Sequence, residues 1–77
     1  MIFEVCGTPA LERIEALLAA RGYRQVDGRL LASGDYRVTN IDAAPGWSDW
    51  IYEVEVIERP GHPIAEVLDR FAREGAG

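Results

Sequence analysis

The feature that most constrains the fold is a strict alternation of side chains from Trp50 to Glu58. Every second position carries the large apolar residues Trp50, Tyr52, Val54 and Val56. The positions between them carry Ile51, Glu53, Glu55 and Ile57. Successive side chains of a β-strand point to opposite faces of the sheet. The pattern therefore predicts a strand with the first set in the core and the second set on the other face.

Two further segments have the periodicity of amphipathic helices. The first follows Thr8, a suitable N-cap, and Pro9, which favours the first helical position; Gly22 suits its C-terminal end. Its apolar stripe consists of Leu11, Ile14, Leu17 and Leu18. The second helix is predicted from about Pro63 to Glu74. Its stripe consists of Ile64, Val67, Leu68 and Phe71. Each helix therefore has one apolar face to bury.

The remaining predicted strands are short. Met1–Cys6 is an apolar run with a single charge, and we expect it to be an interior strand. Further strands are predicted near Tyr23–Val26, Arg29–Ser33 and Tyr36–Ile41, separated by the turn dipeptides Asp27-Gly28 and Gly34-Asp35. The first two of these strands have an alternative interpretation as one bent strand or an irregular arm. Pro45-Gly46 marks a loop from Asp42 to Asp49.

These elements predict one α+β domain over residues 1–77. A small antiparallel sheet, formed in the order β-α-β-β-β-α with one extra short strand as an option, carries two helices on one face. The opposite face then belongs to solvent or to a partner. By parity we expect it to carry Ile51, Glu53, Glu55 and Ile57, with Arg37, Thr39 and Ile41 from a neighbouring strand.

Charge is concentrated in one segment. Asp42–Glu58 contains both tryptophans and five acids but no base, so its charge equals the −5 of the whole chain. A net acidic balance disfavours direct binding of nucleic acid, which depends on neutralising phosphates. The same balance favours attraction to a basic protein surface.

Several functional classes lack the residues they need. No apolar run approaches the length of about 20 residues that a membrane helix requires, and the N-terminus lacks the basic and apolar regions of a signal peptide. With one cysteine in the chain, we expect a cytoplasmic protein without an internal disulfide. All eight bases are arginine, which excludes a lysine nucleophile. His62 is the single histidine, and we expect no metal, no cofactor and no catalytic residue.

Cys6 has two interpretations. The order of a strand, Cys6-Gly7-Thr8-Pro9 and a helix resembles, over about ten residues, the opening of thioredoxin-like and glutaredoxin proteins. That resemblance implies a thiol-dependent redox protein using Cys6, although the chain has no second cysteine. The other interpretation is a small buried apolar residue that closes the first strand.

The acidic tryptophan segment favours a non-enzymatic interaction domain, either an inhibitor or an adaptor. In size and acidity the chain is similar to small phage-encoded anti-CRISPR and anti-restriction inhibitors. We predict binding to a basic protein surface, and one specific version of this prediction is a nucleic-acid-binding groove. The predicted contact residues are Asp42, Trp47, Asp49, Glu53 and Glu55. Trp50 is predicted to be a residue at the edge of the core. Homodimerisation through the open sheet face is the alternative.

Overall fold

The computed structural model describes residues 1–28, 30–43 and 49–76. Within these ranges the chain forms two helices and four strands in an α+β arrangement, as the sequence predicts. The elements are β1 (Ile2–Cys6), α1 (Thr8–Ala20), β2 (Arg24–Gln25), β3 (Asp35–Ala43), β4 (Trp50–Val56) and α2 (Ile64–Ala76). The strands lie in the order β1-β4-β3-β2. The alternating segment is therefore flanked by a strand on each side.

The sheet is mixed. β4 pairs antiparallel with both β1 and β3, as predicted, whereas β2 pairs parallel with β3. Residues 30–33 form no strand, so the strand predicted over Arg29–Ser33 is wrong for its described part, and the irregular arm is the better interpretation. A two-residue hairpin joins only antiparallel strands. Because β2 and β3 run in the same direction, the chain needs a longer irregular connection after Val26.

The core lies between one face of the sheet and the two helices. Tyr52, Val54 and Val56 are buried there as predicted, together with Val5 of β1. The helices contribute the buried side chains Leu11, Ile14, Leu18, Ile64 and Val67. Both helical stripes thus meet the same apolar face of β4, which confirms the layered arrangement.

Trp50 lies at the edge of the core, as the sequence predicts. It belongs by parity to the core-facing set, yet 46% of it is exposed. Its neighbours across the sheet are Ala43 on β3 and Gly7, whose N–H donates to the Trp50 carbonyl. Neither residue has a side chain large enough to cover an indole ring. Trp50 consequently lies at an open rim of the core.

β1 is an edge strand, and the prediction of an interior strand is wrong. Phe3 and Val5 turn toward the core, whereas Ile2, Glu4 and Cys6 are exposed. An apolar run can form an edge strand because the main-chain N–H and C=O groups on its outer side can form hydrogen bonds with water. Cys6 is an exposed free thiol, so the interpretation as a small buried residue is also wrong.

Neither helix in the described part of the chain is long and apolar enough to cross a membrane.

Candidate functional site

The face of the sheet opposite the helices carries three rows of side chains, and we call these nine residues the open face. Each row crosses β1, β4 and β3 in that order. The rows are Ile2–Glu55–Arg37, Glu4–Glu53–Thr39 and Cys6–Ile51–Asp42. Since both helices pack on the other side, no helix covers these rows in the described part of the chain. Four carboxylates and one guanidinium give this face an acidic character.

A bulge in β3 brings Asp42 into the third row of the open face. The pairing with β4 shifts between Asn40 and Asp42, so Asp42 pairs with Ile51. Ile41 is the extra residue of the bulge and is 42% exposed. The prediction that Ile41 continues the row pattern is therefore wrong in register, because a bulge inserts one residue without a partner of its own.

The acids of the segment Asp42–Glu58 have different roles. Glu55 forms an ion pair with Arg37 within its own row. The same arginine donates to the main-chain oxygen of Gly28 at 3.3 Å. Part of the charge of Glu55 is therefore already neutralised inside the molecule.

Asp49 caps the first helix. Its carboxylate accepts hydrogen bonds from the Thr8 N–H at 2.8 Å and from the Thr8 hydroxyl at 2.6 Å. Bonds from Thr8 and the Trp50 N–H hold the pKa of this carboxyl below its ordinary value, with the Thr8 hydroxyl contributing most. Thr8 is thus the first helical residue rather than the predicted cap. The assignment of Asp49 as a partner contact stays a prediction.

The other two hydrogen-bonded acids also act locally. Glu58 accepts from the N–H of Ile64 at 2.7 Å, at the first residue of α2. Asp42 accepts from the N–H of its neighbour Ala43 at 2.8 Å while remaining exposed. Unpaired N–H groups at a helix start favour an acidic partner. Acids of the segment Asp42–Glu58 therefore bind the N-termini of both helices, and other acids of the same segment lie on the open face.

Glu53 has no such internal partner. It lies directly opposite Glu4 in the middle row, with Thr39 on its other side. No hydrogen bond or ion pair joins Glu53 or Glu4 to another side chain among residues 1–28, 30–43 and 49–76. Two like charges facing each other across adjacent strands destabilise the sheet. The pair places two of the four carboxylates of the open face in one row.

The structure brings some of the predicted contact residues together, and their contact with a partner stays a prediction. Glu53, Glu55 and Asp42 lie together on the open face, whereas Trp47 falls outside the described residues. Glu4 was missed as a site residue because its importance depends on which strand pairs with β1. That information is absent from a periodicity pattern.

Other polar clusters are satisfied internally. A groove between α1 and α2 contains the ion pairs Arg21–Glu66 and Arg73–Asp69. In the core layer the Tyr36 hydroxyl donates to Glu15, and burial with this carboxylate raises the pKa of Tyr36 far above its ordinary value. The described residues contain no group of acids, histidines and cysteines that could hold a metal ion.

No protein-family model, curated protein or solved structure matches this chain. The function is therefore inferred from the geometry of the open face.

Proposed function

We propose that this chain is a non-enzymatic interaction domain, an inhibitor or adaptor, that binds a basic surface of another protein through the open face. The observation that supports the proposal most strongly is the Glu4–Glu53 pair, which lies on a sheet face that no described helix covers and forms no ion pair with a described base. A basic partner relieves this repulsion, so binding gains both attraction and the loss of an unfavourable contact.

The open face also has the composition of a contact surface. Ile2 and Ile51 supply apolar area beside the acids, and 60% of Ile2 is exposed. Trp50, although 46% exposed, belongs to the core-facing set of β4 and is not part of this surface. A basic protein that normally binds nucleic acid is a fitting partner, because carboxylates on this face can take the places of phosphates. The domain itself does not bind nucleic acid in this proposal.

The experiment compares affinity capture from the native host by the unmodified chain and by the variant Glu4→Lys/Glu53→Lys. We expect the variant to lose a partner that the unmodified chain retains, because two attractive contacts become repulsive. The matched control is Glu12→Lys/Asp69→Lys, which makes the same charge change at two exposed positions on α1 and α2, the helices that pack on the other face of the sheet. The control should capture the partner normally.

Equal capture by both variants would contradict the assignment of the open face. Capture that is insensitive to salt would contradict the electrostatic mechanism, since exposed charges are screened over about 8–10 Å at physiological salt. Loss of capture by both variants would assign the effect to net charge alone.

One observation favours a second candidate function. Cys6 is exposed at the end of β1, directly before α1, which keeps the thiol-dependent proposal open. The variant Cys6→Ser separates the two functions. Under the interaction proposal, Cys6→Ser retains partner capture. Under the thiol proposal, Cys6→Ser abolishes the thiol-dependent redox activity and no mixed disulfide with the partner can be trapped.

A further inference from the structure

The outer edge of β1 presents unpaired main-chain groups. In an antiparallel pair, successive residues alternately turn their N–H and C=O toward and away from the neighbouring strand. Met1 exchanges both bonds with Val56, at 2.9 and 2.8 Å, and Gly7 donates to Trp50 at 2.9 Å. The residues that face β4 are therefore the odd-numbered ones. The groups that point away belong to Ile2, Glu4 and Cys6.

This edge has few of the features that protect sheet edges. β1 runs through five residues without a proline, and its pairing with β4 is continuous. Natural edge strands are commonly blunted by prolines, bulges, charges or a covering element. Here Glu4 is the one charge on the strand, and no described strand lies beyond β1. The edge is therefore open to the addition of another strand.

Side chains determine which strand fits. The residues with outward main-chain groups, Ile2, Glu4 and Cys6, are the same residues whose side chains lie on the open face. An added antiparallel strand places one residue opposite Glu4, and that residue's side chain extends the row containing Glu4 and Glu53. Charge complementarity then requires arginine or lysine at this position. The residues two positions away on either side face Ile2 and Cys6 and should be apolar or small.

A second copy of this chain fits less well. Symmetric antiparallel pairing of two β1 strands with full overlap is centred on Glu4 and places it opposite Glu4 of the other copy. Each copy also carries a net charge of −5. Both effects oppose self-association and favour a basic partner.

We propose that an extended segment of a basic partner adds to β1 as a fifth, antiparallel strand, with a cationic residue opposite Glu4 and apolar residues two positions away on each side. This inference rests on the proposed function and specifies how the partner binds. The edge supplies main-chain hydrogen bonds, and the open face supplies selectivity for the cation.

The test uses the synthetic peptide Ser-Val-Thr-Arg-Thr-Val-Ser with blocked ends, titrated into the isotopically labelled chain and followed by the amide resonances. We expect saturable shifts centred on the N–H groups of Ile2, Glu4 and Cys6. Replacement of the peptide arginine by glutamate should weaken binding about tenfold, because one attractive contact beside two acids becomes repulsive.

Main-chain pairing is tested with N-methylated peptides that keep every side chain. Methylation of the arginine or valine nitrogens removes hydrogens that face β1 and should weaken binding by about tenfold or more per site. Methylation of the threonine nitrogens, which point away from β1, should leave the affinity within about twofold. Equal effects at both kinds of position would overturn strand addition.

Further outcomes distinguish a basic partner from a second copy of this chain at the β1 edge. Shifts confined to the helices, or no shift at peptide saturation, would overturn the proposal. Movement of the same three amides with protein concentration alone, together with a dimer in sedimentation, would overturn the basic partner in favour of a second copy.

The variant Ile2→Pro separates this inference from the proposed function. It removes an outward N–H and keeps every acid of the open face. We expect Ile2→Pro to lose partner capture along with peptide binding. Normal capture by Ile2→Pro, with loss in Glu4→Lys/Glu53→Lys, would overturn strand addition and leave the interaction surface standing.

Discussion

At the scale of single residues, Arg59 shows how closely side chains and glycines fit in this small chain. Its guanidinium donates to the Arg21 carbonyl at 3.0 Å, at the end of α1. Its side chain passes two glycines with positive φ, Gly22 at 84° and Gly34 at 91°. A Cβ on Gly34 would lie 2.8 Å from Cδ of Arg59, and one on Gly22 would lie 2.1 Å from Nη1. Glycine is therefore required at both positions, because the backbone has a positive φ and because a Cβ would clash with the Arg59 side chain.

Gly34→Ala should consequently destabilise the protein by more than backbone strain alone. Gly61 has φ of 80° and no atom within 4 Å of its Cβ position, so Gly61→Ala measures the cost of the backbone conformation without a clash. We expect about 1–2 kcal/mol for Gly61→Ala and about 2–4 kcal/mol for Gly34→Ala in denaturant unfolding. Adding Arg59→Ala to Gly34→Ala should relieve the clash component. Equal costs at the two glycines would contradict this account.

At the scale of elements, the start of α1 depends on a side chain 41 residues away in the sequence. Asp49 binds Thr8 through both its oxygens, and the Thr8 hydroxyl lies 2.8 Å from that of Tyr52. The helix predicted from its stripe and its Gly22 end was confirmed because those signals are local. The cap was predicted wrongly, because Asp49 is brought to the helix only by the pairing of β4 with β1.

The cap makes stability dependent on pH. Because folding lowers the pKa of Asp49 below 3.8, the ionised carboxylate stabilises the folded state above that pH. This contribution is lost as pH falls through the folded-state pKa. We expect Asp49→Asn to lower the midpoint of thermal unfolding at neutral pH, and the difference from the unmodified chain to shrink below pH 3.8. Thr8→Val should produce a smaller loss, and the two substitutions together should cost less than their sum. A difference that is constant with pH would contradict the role of the charge.

At the scale of the whole molecule, the periodicity of the sequence predicted that two helices pack on one face of a sheet. It did not predict which strands lie next to each other in that sheet. The alternation from Trp50 to Val56 assigned both faces of β4 correctly, but it did not indicate that small residues on either side leave 46% of Trp50 exposed. Strand order, the parallel edge pair and the bulge at Ile41 depend on contacts between distant segments. The Glu4–Glu53 pair follows from strand order, so this pair of acids was not predictable from local patterns.

That pair should reduce the stability of the fold in the absence of a partner. Glu4 and Glu53 face each other across β1 and β4 with no compensating base among the described residues. Replacement of either acid by glutamine should therefore raise the free energy of unfolding by about 0.2–1 kcal/mol at low salt. The gain should shrink as salt screens the repulsion. Since either substitution removes the same repulsion, Glu4→Gln/Glu53→Gln should gain less than the sum of the single variants.

The same variants should bind a basic partner more weakly, and this opposition of stability and binding is typical of functional sites. Glu12→Gln, an exposed substitution on α1, is the matched control and should change neither property by more than about 0.5 kcal/mol. Urea unfolding at two salt concentrations, combined with titration of the arginine peptide, measures both effects on the same samples. Stability that falls on removal of Glu53 would indicate that the acid supports the fold, and the open face would then lose its strongest argument as a binding surface.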